Sequence, residues 1–116
     1  MERIARAVGS TMLVAAIALL TPRPSAADEP VSINVTIKDH VFTPSEIVVP
    51  ARQRAVLIVR NEDATAEEFE AHDLRIEKVI AGHDSGTLRL RELEPGRYPF
   101  VGEYHSDTAK GVIIVK

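Results

Sequence analysis

The 116-residue chain sets 14 Lys and Arg against 17 Asp and Glu, and it contains no Cys and no Trp. Disulfides, thiolate chemistry and iron–sulfur ligation are therefore excluded. An acidic balance without a clustered basic run also excludes a nucleic-acid partner, whose phosphates require grouped cations.

At the N-terminus Arg3 and Arg6 precede Met12 to Leu20, an uncharged and mostly aliphatic run, and Ser25-Ala26-Ala27 supplies the small residues of a signal-peptidase site. A membrane span needs about 20 apolar residues, so this pattern predicts a signal peptide over residues 1–27 and not an anchor. Its removal takes both methionines, Met1 and Met12, and with them any thioether donor. It also takes Arg3, Arg6, Arg23 and Glu2, leaving 11 basic and 16 acidic side chains on 89 residues. Residues 28–116 then form one small acidic domain, with room for a single core held by packing alone.

From Val31 the pattern has period two, with Ile33, Val35 and Ile37 on one face and Ser32, Asn34 and Thr36 on the other, which predicts a half-buried strand. Phe42 and Pro44 lead into a strand at Glu46 to Val49, and Pro50 to Gln53 makes a turn. Arg54 to Asn61 continues as an aliphatic strand, and Asn61 to Ala64 punctuates it. Further strands are expected at Glu67 to Ala71, Arg75 to Ile80, Thr87 to Leu93, Arg97 to Val101 and Gly111 to Lys116. Turn clusters at Gly82 to Gly86 and Glu94 to Gly96, and a longer loop over Gly102 to Lys110, separate them. The Glu, Ala, Leu and Lys content of Ala64 to Ile80 leaves room for one helical turn there. About eight short strands at this spacing predict an all-β Greek-key sandwich or barrel.

Reversal of direction at each tight connection gathers Lys38 to Phe42, Asn61 to Ala66, Ala81 to Gly86 and Gly102 to Lys110 at one end. His40, His83 and His105 fall there, with Glu67, Glu68, Glu103 and Asp107. His72 is placed at the other end, roughly 17 Å away for a five-residue strand. Imidazoles and carboxylates without sulfur suit Cu(II), Fe, Mn or Zn and disfavour Cu(I). Glu103-Tyr104-His105 is the sharpest signal, because it offers two ligand types within the longest loop. Alternation along Glu67 to Glu70 sets Glu67 on the face of Phe69, so a core Phe69 turns Glu67 inward at the rim. Glu70, Asp73 and Glu77, with Arg75 and Lys78, read as solvated strand charges. Tyr98 and Phe100 read as core, and Tyr104 as a cover over the end of the sandwich.

Phe42-x-Pro44-x-x-Ile47, Asn61 to Phe69, Tyr98-Pro99-Phe100 with His105, and Gly111 to Val115 together resemble the cupredoxin family, the relatives of plastocyanin and azurin, across residues 31 to 116. In that resemblance Glu67 or Glu68 occupies the region of the first His, Gly102 stands where the blue-copper Cys would be, His105 matches the second His, and Ala109 or Lys110 stands where Met would be. The missing Cys implies a colourless cupredoxin with no type 1 blue copper. Glu67-Glu68-Phe69-Glu70 and Gly102-Glu103-Tyr104-His105 look closest to the cupredoxin-like components of bacterial periplasmic iron-uptake systems. This resemblance implies a periplasmic location, copper or iron as the bound ion, a periplasmic iron-binding partner and an inner-membrane permease, and assistance to Fe(II) oxidation. The expected metal ligands are Glu68, Glu103 and His105, with Glu67 and His83 in reserve. The alternative is a metal-free β-sandwich that docks a permease or periplasmic partner.

Overall fold

The computed structural model describes Arg3, residues 7–22 and residues 29–116. Residues 7–22 carry no regular secondary structure and are exposed, while Arg6, Arg23 and the cleavage motif Ser25-Ala26-Ala27 lie outside the described residues. Among the described residues, no helix is long and apolar enough to cross a membrane.

Nine strands follow from Val31: β1 (Val31–Lys38), β2 (Val41–Thr43), β3 (Glu46–Val49), β4 (Ala55–Asn61), β5 (Glu67–Ala71), β6 (Ile76–Ile80), β7 (Ser85–Leu90), β8 (Gly96–Gly102) and β9 (Lys110–Val115). They form two sheets, one of order β2-β1-β4-β7 and one of order β3-β9-β8-β5-β6. Two pairs, β1 with β4 and β3 with β9, are parallel, and the remaining ladders are antiparallel. The architecture is the expected all-β Greek-key sandwich, with two stacked sheets instead of a closed barrel. The one helical turn anticipated between Ala64 and Ile80 is a 3-10 turn at His72–Leu74.

Two strand expectations differ from the structure. Thr87 to Leu93 is shifted: β7 runs from Ser85 to Leu90 because its ladder with β4 begins at the Arg60↔Ser85 pair and ends at Ala55↔Leu90, where β4 itself begins. Leu93 is nevertheless buried beyond the strand, and its carbonyl accepts the Arg52 N–H at 2.9 Å. The other difference is β2, which continues the first hairpin through Ile37↔Phe42 and Lys38↔Val41 before the chain crosses to the second sheet at Pro44.

Alternation does most of the core assembly, since successive strand residues face opposite sides. Val35 and Ile37 of β1, Leu57 and Val59 of β4, and Leu88 and Leu90 of β7 point inward from one sheet. Ile47, Val49, Phe69, Ala71, Phe100, Ile113 and Val115 meet them from the other. Toward the end where β1 meets β2, three rings lock together. Phe69 and Phe100 stack at 4.9 Å between centroids and 19°, and Phe42 meets them edge-on at 5.8 and 5.0 Å. The Phe100 ring lies across Gly111, its partner on β9, where a Cβ would come within 2.1 Å of the ring, so only glycine permits this packing.

Candidate metal centre

The ring cluster is the floor of a mouth formed by four connections. Asp39 and His40 are the whole loop between β1 and β2, and both have positive φ, at 51° and 60°. A two-residue hairpin turn of this hand suits the sheet twist, but it is strained for residues other than Gly, Asn and Asp. Asp63, in the β4–β5 connection, holds it in place. Its carboxylate accepts the Asp39 N–H at 2.8 Å and the His40 N–H at 3.0 Å, and it lies 3.4 Å from His40 Nδ1. The His40 N–H first, and the Asp39 N–H after it, outweigh partial desolvation and hold Asp63 below its ordinary 3.8. Thr108 adds a second tie, donating from Oγ1 to the His40 carbonyl at 2.8 Å.

Opposite, β8 ends in a 3-10 turn at Glu103–His105, whose His105 carbonyl accepts the N–H groups of Thr108 and Ala109. The two imidazoles stack at 3.5 Å between centroids and 11°. Beneath them sits the Glu67 carboxylate, 1% exposed. Its Oε2 is 2.6 Å from His105 Nδ1, and its Oε1 accepts the N–H groups of Glu68 and Tyr104 at 3.0 and 2.9 Å. A buried carboxylate is costly unless such partners or a cation compensate it. His40, Glu67 and His105 bring one ligand atom each to within 4.8 Å of one another.

The structure thus brings His105 together with Glu67, and adds His40. It does not bring Glu68 or Glu103 to that group. Glu68 lies on the outer side of the second sheet, because β5 alternates and it faces away from Glu67 and Phe69, while Glu103 opens the 3-10 turn after β8. Glu68, Glu70 and Glu77 form a separate carboxylate group, and Glu103 reaches Glu70. His83 stands at the same end but outside both groups; its N–H donates to the Asp63 carbonyl and its own carbonyl accepts Arg60 Nη1. His72 caps the far end of β5. Strand direction had placed His40 at this end without counting it among the expected ligands, and Asp63 was not singled out. The readable signal was the period-two continuation of Val41 to Thr43, which compresses the turn to Asp39-His40 and pins its imidazole at the mouth.

The outer carboxylates are set close enough to share a proton. Glu70 is pushed up to about 6, first by a hydrogen bond with Glu103 and by desolvation, then by the charges of Glu103, Glu77 and Glu68. A folded-state pKa above the unfolded one means that protonated Glu70 favours the fold. That contribution is complete below the ordinary 4.5 and is lost as pH rises through about 6. A carbon-13 titration of the side-chain carboxyls is expected to give Glu70 a midpoint near 6. In Glu103→Ala the midpoint moves toward the ordinary range; an unmoved midpoint would show that Glu103 does not carry the shift.

Two imidazoles and one carboxylate form a donor set suited to Cu(II), Fe(II) and Zn, and the absence of thiolate and thioether makes it a poor one for Cu(I). The residues at the mouth therefore fit a divalent ion of intermediate hardness.

Comparison with known proteins follows the same lines. A family model described as a cupredoxin-like domain matches residues 9–115. An uncharacterised protein of Rickettsia prowazekii (strain Madrid E) is 46% identical over 88 residues, covering 76% of this chain and 70% of that protein. Among solved structures, auracyanin A, a blue copper protein from Chloroflexus aurantiacus, superposes with a TM-score of 0.63 at 14% identity, over 76% of this chain and 100% of its own. The metal-binding domain of the Cu(I)-exporting P-type ATPase of Streptococcus pneumoniae D39, solved with Cu(I), gives a TM-score of 0.63 at 17% identity, over 73% of this chain and 84% of its own. Joined to a two-sheet sandwich whose β8–β9 connection carries His105 to the mouth, the family match over nearly the full length makes this chain a member of the cupredoxin-like domain family.

Proposed function

We propose that this protein is a sulfur-free cupredoxin that binds copper or iron at the His40–Glu67–His105 mouth and serves a periplasmic ferrous-iron uptake system. The observation that carries the reading is the convergence of two imidazoles on a buried carboxylate at the end of the sandwich, with every donor a nitrogen or an oxygen. His40, Glu67 and His105 would hold the ion, and bound Cu(II) would supply a one-electron acceptor for Fe(II) being delivered. The chain's own part is to fix the donors. The turn at Asp39-His40 is clamped by Asp63, and the three hydrogen bonds to Glu67 orient its carboxylate before any ion arrives. The leader supports export, the copper-binding structural neighbours support a metal ion, and the outer carboxylates Glu68, Glu70, Glu77 and Glu103 offer hard oxygen donors to Fe(III). A periplasmic iron-binding protein and an inner-membrane permease complete the proposed pathway.

The test is calorimetric titration of the mature domain with Cu(II) and with Fe(II) under anaerobic conditions. His105→Ala is expected to weaken binding by at least about 100-fold, more than the loss usual for a residue that only supports a ligand. His72→Ala, at the opposite end, leaves the affinity unchanged. Loading to 100 times Kd should also stabilise the parent by about 2.7 kcal/mol, reversed by chelation. Parent-like binding by both variants would refute the mouth assignment. A parent that leaves the periplasm without metal and binds none would return the chain to a metal-free docking module.

A further inference from the structure

Gly102 ends β8 with φ −88° and ψ 104°, ordinary extended backbone that every residue type adopts. Conformational freedom therefore does not call for glycine here. Space does: a Cβ at position 102 would lie 2.6 Å from Glu67 Cδ, 2.9 Å from Glu67 Oε1 and 2.7 Å from the Ala109 Cβ. The volume that a side chain on β8 would fill is already taken by the Glu67 carboxylate, delivered from the neighbouring strand β5. Ala109, fully buried, closes the other side of this slot, and its carbonyl accepts the Gly102 N–H at 2.8 Å.

We propose that Gly102 is the specificity-determining residue of the mouth: by lacking a side chain it admits the Glu67 carboxylate, and so it sets an oxygen donor where a side chain of its own would have set the chemistry. The inference rests on the metal-binding reading above and deepens it, because it names the residue that would make the site favour Cu(II) or iron over Cu(I). A carboxylate and a side chain at position 102 are mutually exclusive occupants. Glu67 cannot retreat without giving up its hydrogen bonds from the Glu68 and Tyr104 N–H groups and its contact with His105.

Gly102→Ala tests this with one readout that needs no metal. In amide nitrogen–proton spectra of the metal-free domain, the Glu68 and Tyr104 N–H signals are expected to shift upfield and to lose exchange protection as the carboxylate is displaced. Cu(II) affinity is expected to fall at least about tenfold, the lower end of what loss of an orienting contact costs a metal site. Should Gly102→Ala fold poorly, Gly102→Ala with Ala109→Gly removes the second collision and leaves the one with Glu67. Unchanged Glu68 and Tyr104 amides in whichever variant folds would overturn the inference. So would Cu(II) binding equal to the parent's. Glu67→Gly combined with Gly102→Cys exchanges the occupants, and gain of Cu(I) affinity over the parent is the expected result, since thiolate selects that ion; no gain would overturn the specificity claim. Failure of the parent itself to bind Cu(II) or iron would sink the metal-binding reading, while the amide signals would still decide which group fills the slot.

Discussion

Phe69→Ala is expected to destabilise the domain by about 3–5 kcal/mol, the range for truncating a buried phenylalanine when its surroundings relax only in part. Phe69 is fully buried, stacks on Phe100 and meets Phe42 edge-on. Removing it opens a cavity directly below Glu67, its neighbour along the inward face of β5. Dispersion contacts with two rings are lost as well as the transfer free energy of the ring itself. In a domain whose total stability lies at about 5–15 kcal/mol, such a loss takes about a fifth or more of the folding free energy. Denaturant unfolding of the metal-free protein provides the measurement, with Val48→Ala as control. Val48 is half exposed on the outer side of β3, and its truncation should shift stability by no more than about 0.5 kcal/mol. Equal midpoints for the two variants would mean that the three rings are not the structural floor of the mouth.

The legible part of this fold was whatever repeats with period two. Ile33, Val35 and Ile37 declare a face, and so do Phe69 and Ala71, whose alternation carries Glu67 inward with them. Direction reversal at each tight turn was equally readable, and the unforeseen β2 leaves the count intact because only Pro44 and Ser45 separate it from β3, so the chain changes sheets there without turning back. His40 and His105 thus belong to one end, and His72 to the other, by strand direction alone. What local pattern does not contain is which strands of one sheet become neighbours. Glu67 lies beside Gly102 only because β5 pairs with β8, across more than thirty intervening residues. Nothing within Glu67-Glu68-Phe69-Glu70 shows that the slot on β8 is open to Glu67 while Glu68 is left facing Tyr104 on the outside. Glu103 was read as a partner of His105 from proximity in the chain, yet the 3-10 turn directs the two apart, toward Glu70 and toward Glu67. Strand limits failed for a related reason. Where β7 begins and ends is decided by the length of β4 opposite it, not by the residues of Ser85 to Leu93 themselves.

Asn61 joins these levels, and Asn61→Ala should damage both stability and the site although it touches no candidate ligand. The side chain is fully buried. Its Nδ2 donates to the carbonyls of Thr65, Ile80 and Ala81 at 2.9, 3.2 and 3.3 Å, and its Oδ1 accepts the Asp63 N–H at 3.0 Å. One amide therefore fastens the β4–β5 connection to the end of β6 and sets the position of Asp63. Alanine leaves the Ile80 carbonyl without that donor in a buried setting, at about 1–3 kcal/mol for such a group, and frees the Asp63 backbone as well, so a total loss of about 2–4 kcal/mol is expected. Asp63 then ceases to hold the Asp39-His40 turn in its strained conformation, and His40 leaves its stack on His105. Metal affinity should fall about tenfold by this route, and the route can be separated from general loosening by a double-mutant cycle. If Asn61 acts through His40, the affinity loss caused by Asn61→Ala shrinks or disappears once His40 is already Ala. An undiminished loss in that background would mean that Asn61 reaches the mouth by another path, such as the β5 backbone that carries Glu67.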